Sequence, residues 1–300
     1  MEGRALAPGR KRCRTAGPAG VDRSRREAAC RTPGPGERNH GATVHRRRGS
    51  DMSDLSPAGW TVEAARAEEV AGMVGLDGCA LPAPDADDLT WVVRAQPGGA
   101  ALATMRWRRG NSDTDLRAWF RLGWAVHAAD DLKLFRRQRT LLLGHDLTGA
   151  DELYGFATAA ELGEDRATAA WAALLRVALQ AVTPALGDEV RPCIAQLPGL
   201  RDDAGLSPVW QALGRHFHAQ DLDAAQHQHG PGWERHMATL LPRHLVYASL
   251  LPATAQGALG RAAASAQALR QALVQVGFGW RGHVGLADGG PVLERWPSGF

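Results

Sequence analysis

The sequence predicts an α+β protein, with one main domain over residues 52–300 and a separate basic leader at 1–51. Three observations carry this reading. Short runs rich in β-branched and aromatic residues, such as "TWVVRA" (90–95) and "DELYGFAT" (151–158), have the composition of strands. One long stretch, "DRATAAWAALLRVALQAVTPALG" (165–187), carries the helical period instead. Strand and helix signals then mix without the strict alternation of a doubly wound sheet.

The leader is set apart by charge. Residues 1–50 hold 13 Lys and Arg against 4 Asp and Glu, whereas the remainder holds 22 against 28. The basic excess therefore belongs to the leader, and the acidic body gives no argument for nucleic-acid binding. The leader is rich in Gly, Pro and Arg and poor in aliphatic residues, too little to offset the entropy of ordering, so disorder is expected there. "MSDLSPAGW", from Met52, reads as a natural start. The leader lacks the apolar core of a secretory signal, and no run approaches the ~18 apolar residues of a membrane helix. The four cysteines show no CxxC spacing, which fits a reducing cytoplasm rather than a disulfide framework.

Along the body, "VEAARAEEVAGMVG" (62–75) has a helical rhythm, with Val62, Val70 and Met73 on one side. "TWVVRA" and "AALATMRWR" flank "QPGG" as a β-hairpin. "LRAWFRLGWAVH" (116–127), "RTLLLGHDL" (139–147) and "DELYGFAT" are further strands. In the long helix, Trp171, Leu174, Leu175, Ala178, Leu179 and Val182 form one stripe for burial. "RPCIAQLP" (191–198) is a strand. "SPVWQALGRHF" (207–217) starts a helix with Ser207 as N-cap and Pro208 in the first turn. "GRAAASAQALRQALVQV" (260–276) is a last helix ending at Gly277. "WRGHVGLA" is then a strand, and "DGGP" (288–291) a tight turn.

Five histidines crowd "GRHFHAQDLDAAQHQHGPGWERH" (214–236). A metal would need their nitrogens to converge at about 2.0–2.1 Å from the ion. On a helix, however, the two rings of an HxH pair point to different sides. No metal site is expected.

Four stretches in order, "HDLTGADEL" (145–153), "DDAGLSPVWQALGRHF" (202–217), "LLPRHLVYASLLPATAQGALG" (240–260) and "LADGGPVLE" (286–294), resemble the arginine N-succinyltransferase family. The match runs almost without gaps from Ser207 to Glu294, and with gaps from about Val62. The resemblance implies an acyl-CoA N-acyltransferase (GNAT-like) fold, a twisted mixed sheet with flanking helices. It implies transfer of a succinyl group from succinyl-CoA to the α-amino group of arginine, the first step of a bacterial arginine degradation route. Succinyl-CoA would be a co-substrate, with no permanently bound cofactor. Arginine or ornithine would be the acceptor, and a homo- or hetero-oligomer in the cytoplasm is expected.

The same resemblance assigns positions. The family's proton-donor histidine falls on Ala263 in "GRAAAS" (260–265), which carries no titratable proton. His244, in a retained LxPxH motif, is the candidate substitute. Phe156 falls on an apolar position that contacts succinyl-CoA. Of the family's glycine- and arginine-containing CoA loop, "ELGEDRAT" (161–168) keeps Gly163 and Arg166, while Glu164 and Asp165 would repel phosphate. Asp146, Glu152 and Asp288 are candidates for the substrate, since a guanidinium pairs best with carboxylates in bidentate geometry. A helix the family carries between "ALP" (80–82) and the strand at Thr90 is largely missing, as is its C-terminal extension after Phe300. These departures support a second reading, a catalytically silent paralogue that binds acyl-CoA or amino acid, or regulates an active relative.

Overall fold

The computed structural model describes residues 59–110, 116–182 and 191–297; the basic leader lies outside them. The described chain builds a ten-stranded sheet in the order β1-β2-β3-β6-β7-β10-β9-β4-β5-β8. The strands are β1 (Thr61–Ala65), β2 (Leu89–Arg94), β3 (Ala101–Arg108), β4 (Trp119–Ala129), β5 (Leu134–Gly144), β6 (Asp151–Thr158), β7 (Cys193–Gln196), β8 (Val246–Tyr247), β9 (Gly279–Val284) and β10 (Pro291–Arg295). The helices are α1 (Glu164–Val182), α2 (Pro208–Ala212), α3 (Leu222–His229), α4 (Trp233–Leu240), α5 (Ala253–Ala258) and α6 (Gln267–Gln275). Helices and a mixed sheet together make the α+β class expected.

Most local readings hold. The "QPGG" hairpin joins β2 and β3 in antiparallel register from Leu89↔Trp107. The whole α1 stripe from Trp171 to Val182 is buried, each large side chain contributing about 1.5–3 kcal/mol. The part of that helix predicted from Thr183 onward lies outside the described residues. Ser207 caps α2, its Oγ accepting from the Trp210 amide at 3.1 Å. Gly277 ends the last helix with φ of 92°, a backbone region that glycine enters without penalty.

Two readings are corrected. The segment 62–75 is not a helix: Thr61–Ala65 is the edge strand β1, paired with β2, and only a 3-10 turn at Ala67–Val70 follows. Tertiary pairing overrides local rhythm, because the Arg94 guanidinium on β2 reaches Glu63 at 2.7 Å and Glu69 at 2.6 Å, fixing an extended segment and then a turn. The last helix starts at Gln267, later than read. Upstream, Ala262 bridges to Gly199 and the Ala263 amide donates to the Pro198 carbonyl at 2.8 Å, so this backbone bonds to the exit of β7 before it can coil.

Among the described strands, β6 and β7 form the parallel pair, and α1 lies between them in sequence, as a parallel crossover requires. Leu153, Ala195 and Leu293 register across β6, β7 and β10 and join a core with α1 and α6. Their neighbours Glu152, Ile194 and Glu294 register on the opposite face. A second core joins Phe120, Leu141 and Val284 of the sheet to Trp210, Met237 and Ala255 of α2, α4 and α5.

Candidate functional site

The site arises where the parallel pair separates. β6 and β7 are in register only from Asp151↔Cys193 to Leu153↔Ala195; β6 then continues to Thr158, while β7 ends at Gln196. A β-bulge adds to the divergence. The β3 register shifts between Thr104 and Arg106, opposite Gly155 at φ of 62°. A cavity of about 560 Å³ opens at this divergence, a size suited to a small-molecule ligand.

One wall is apolar. Leu153 and Phe156 from β6 face Leu197 and Pro198 beyond β7, with Leu76 and Trp233 at other edges. Phe156 is held from behind by the edge of Trp171 on α1, ring centroids 5.8 Å apart. The Leu76 amide donates to the Phe156 carbonyl at 3.0 Å, joining the 76–85 loop to the bulged strand.

A second wall is charged. Arg117, just before β4, bonds Glu152 of β6 and reaches Glu234 of α4 at 3.0 Å. Arg108, at the end of β3, stacks 4.5 Å over the Tyr154 ring and lies 3.0 Å from Asp85, 3.3 Å from Asp88 and 3.7 Å from Glu152. Four carboxylates thus surround two guanidinium groups. Burial works against the charge on Arg117, but Glu152 and Glu234 outweigh it and push its pKa upward. Burial and the hydrogen bond donated to Asp88 likewise raise the Tyr154 phenol, so it stays protonated.

The floor is a turn. Asp288 accepts from the Gly199 amide at 2.6 Å and the Gly290 amide at 2.9 Å. A Cβ on Gly290 would collide with the Leu197 carbonyl, which is why the second glycine of "DGGP" is required. Burial raises the Asp288 pKa, although those two amide donors oppose the shift.

Of the residues singled out from sequence, Phe156, Glu152 and Asp288 line this one cavity. Ala263 is outside the lining, its backbone amide bonded to the carbonyl of the lining residue Pro198. Four others are not part of the lining. Gly163 and Arg166 are exposed at the start of α1, and His244 is exposed between α4 and β8. Asp146 instead lies 3.4 Å from both Arg121 and His283.

Sequence reading did not single out Arg108, Arg117, Tyr154 or Glu234. Tyr154 had a signal, since it lies two residues after Glu152 in a strand and so shares its face until the bulge. It also missed His283, buried on β9, whose Nδ1 is 2.7 Å from Glu294 Oε1. Burial disfavours the imidazolium there, but Glu294 and Asp146 outweigh it and raise the His283 pKa.

Three of the crowded histidines do meet. His218 and His229 place their Nε2 atoms 3.2 Å apart, and His236 stacks on His229 with centroids 4.5 Å apart. Partial desolvation, with His236 and His218 beside it, holds the His229 pKa below its ordinary value. Among the described residues, no group of three or more His, Cys, Asp or Glu is arranged to hold a metal ion.

The family model described as "Arginine N-succinyltransferase beta subunit" matches residues 108–297. Proteins named arginine N-succinyltransferase from Escherichia coli O17:K52:H18 and Shigella boydii serotype 18 are each 30% identical over 175 residues, covering 58% of this chain and 50% of the relative. The chain thus aligns with about half the length of these curated relatives. A solved structure titled as arginine/ornithine succinyltransferase subunit AI from Pseudomonas aeruginosa shares the fold, with a TM-score of 0.55 at 24% identity, covering 73% of this chain and 62% of that one. The match over residues 108–297 takes in β4 to β10, α1 to α6 and most of the cavity lining, and on that ground the chain belongs to the arginine N-succinyltransferase family.

Proposed function

We propose that this chain transfers a succinyl group from succinyl-CoA to the α-amino group of arginine or ornithine, as an N-acyltransferase of arginine breakdown. The observation that carries the reading is the cavity at the β6–β7 divergence, which pairs an apolar wall with a carboxylate-rich one. Leu153, Phe156, Leu197 and Pro198 suit the thioester and its adjoining chain. Asp77, Asp85, Glu152, Glu234 and Asp288 share the lining with Arg108, Arg117, Arg201 and Arg235, so the charged wall offers carboxylates to the acceptor's cationic side chain and guanidinium groups to the succinyl carboxylate. The names of the curated relatives and of the solved structure fit the same substrates.

The chemistry follows from these walls. The acceptor's neutral amine attacks the thioester carbonyl, forming the C–N bond. The tetrahedral intermediate collapses with cleavage of the C–S bond, the nitrogen losing a proton and the CoA thiolate gaining one. Holding amine and thioester together supplies much of the rate. Ala263 cannot donate the last proton, so the thiolate leaves without a positioned acid from that residue. General acid help is typically worth ~10²–10⁴-fold, and its loss slows turnover rather than abolishing it.

The test is release of free thiol from succinyl-CoA by the full chain, with and without arginine or ornithine. Amine-dependent release carries the proposal. Saturable binding of succinyl-CoA with no release overturns it in favour of the second reading, a silent acyl-CoA-binding subunit, which an alanine at position 263 favours. Absence of both binding and release defeats both.

A further inference from the structure

β7 ends on an amide side chain. Gln196 is its last residue, and β10 holds it there: Val292 registers opposite it, and the next amide, of Leu197, donates to the Pro291 carbonyl at 3.0 Å. Two residues after Ile194, the Gln196 side chain falls on the face that carries Glu152, and it lines the cavity where β6 and β7 part.

This amide is oriented. Trp119 Nε1 donates to Gln196 Oε1 at 3.1 Å, and an indole nitrogen can only donate, so the amide oxygen faces the ring and the NH2 group faces away. Trp119 is itself fixed, 2% exposed in a small core with Leu147, Ile194 and Val292, and the Arg117 guanidinium lies 5.3 Å from its ring centroid. Gly285, just after β9, leaves room for the other end of the amide, since a Cβ there would lie 2.7 Å from Gln196 Nε2. Among the described residues, Nε2 makes no hydrogen bond. An unspent donor held against rotation in a cavity wall is arranged for a ligand oxygen.

The surroundings select which oxygen. Gln196 is followed directly by Leu197 and Pro198, part of the apolar wall suited to the thioester. The guanidinium groups of Arg108, Arg117 and Arg201 are each already paired with a carboxylate, whereas the Gln196 NH2 is neutral and free. Such a donor suits a carbonyl oxygen that gains negative charge during reaction.

We propose that Gln196 is the oxyanion donor of the acyl transfer, a catalytic residue that Trp119 positions. This rests on the N-acyltransferase reading above. As the amine adds to the thioester carbonyl, the C=O π pair moves onto oxygen, and a Gln196 N–H hydrogen-bonds that oxygen while keeping its proton. The pair returns to carbon as the C–S bond breaks. Because the bond strengthens as charge develops, it raises kcat rather than affinity.

Steady-state kinetics of the full chain test this, with succinyl-CoA binding measured separately by tryptophan fluorescence in the absence of amine. Gln196→Glu keeps an oxygen for Trp119 and the side-chain length but has no N–H donor. Gln196→Met removes the donor without adding charge. In both, kcat for amine-dependent thiol release is expected to fall ~10²–10³-fold, with the Kd for succinyl-CoA essentially unchanged in Gln196→Met. Trp119→Phe leaves Gln196 in place but frees its orientation, so a smaller loss in kcat is expected, again at unchanged Kd; this variant also carries the test where a Gln196 variant loses the far-ultraviolet circular dichroism of the folded chain. An intact kcat in the variants overturns the proposal, and weaker succinyl-CoA binding at intact kcat makes Gln196 a ground-state contact instead. Both outcomes leave the acyl-transfer reading standing. A wild type with no amine-dependent release defeats that reading, and the oxyanion donor with it.

Discussion

Arg117 is the residue whose loss the fold should feel most sharply. Its side chain is 17% exposed and holds two carboxylates, Glu152 at 4% and Glu234 at 19%. Its raised pKa means that no accessible pH neutralises it. In Arg117→Met, Glu152 stays buried with only Arg108, at 3.7 Å, as a cationic partner, and Arg108 is already shared with Asp85 and Asp88. Removing one partner of a buried pair typically costs about 3–5 kcal/mol. In a domain of this size that lowers the melting temperature by on the order of 10 °C. The control is Arg201→Ala, which breaks a pair to Asp223, itself 63% exposed, and should cost about 0–1 kcal/mol. Urea denaturation gives both numbers. The double variant Arg117→Met, Glu152→Met removes both charges at once and should recover most of the loss, since apolar replacement of a buried pair is often neutral or better. A single-variant loss no larger than that of Arg201→Ala, or a double variant worse than both singles, would refute the reasoning.

The remaining predictions concern local devices and pH. Ser207→Ala removes the α2 cap and should cost ~1 kcal/mol by denaturation, whereas Ser207→Asp should retain most of it. Gly290→Ala forces a Cβ toward the Leu197 carbonyl, and a loss of about 1–3 kcal/mol is expected together with weaker acyl-CoA binding. The His283–Glu294 pair sets a pH window. The raised His283 contributes stability that is full below its ordinary value of 6.5 and lost as pH rises through its folded value. Glu294 is desolvated, but His283 and Trp296 outweigh this and lower its pKa; its contribution is full above 4.5 and lost as pH falls through its folded value. Glu294→Gln should therefore flatten both limbs of a stability–pH curve. The lowered His229 acts the other way from His283, losing stability as pH falls below 6.5, and His229→Gln should remove that loss. If the proposed function holds, Ala263→His places an imidazole on the segment bonded to the lining residue Pro198, and a rise in amine-dependent thiol release of up to ~10²–10⁴-fold is expected.

What the sequence made legible were elements fixed by their own residues. The β2–β3 hairpin follows from a β-rich run, a Pro-Gly-Gly turn and a second run; α1 follows from period alone; Ser207 and Pro208 mark a helix start. The edge strand β1 did not, because its extended form depends on Arg94, which lies on another strand. The candidate site divides in the same way. Phe156, Glu152 and Asp288 were reached through family motifs and do meet in one cavity. Arg108, Arg117 and Glu234 sit in segments with no motif of their own. Only the folded sheet brings the end of β3, the entry to β4 and the start of α4 around Glu152.

The cavity and the proton-donor position proposed at Ala263 are under different physical constraints, and this decides how activity should be read. Phe156 packs on Trp171, Asp288 holds two backbone amides, and Glu152 anchors Arg117, so each wall residue also stabilises the fold. Changing any of them costs stability whether or not the protein turns over. Ala263 carries no such duty through its side chain. Its extended backbone, at φ of −58° and ψ of 156°, accepts other residues, and both its bonds are made by the backbone, the amide to Pro198 and the carbonyl from Ala266. An acid at that position can be lost while the cavity persists at full stability. The rate ratio between Ala263→His and the wild type therefore reads the donor separately from the cavity. A finite wild-type rate with a gain in the variant marks an enzyme running on positioning alone. Turnover only in the variant marks a binding protein that one side chain returns to catalysis.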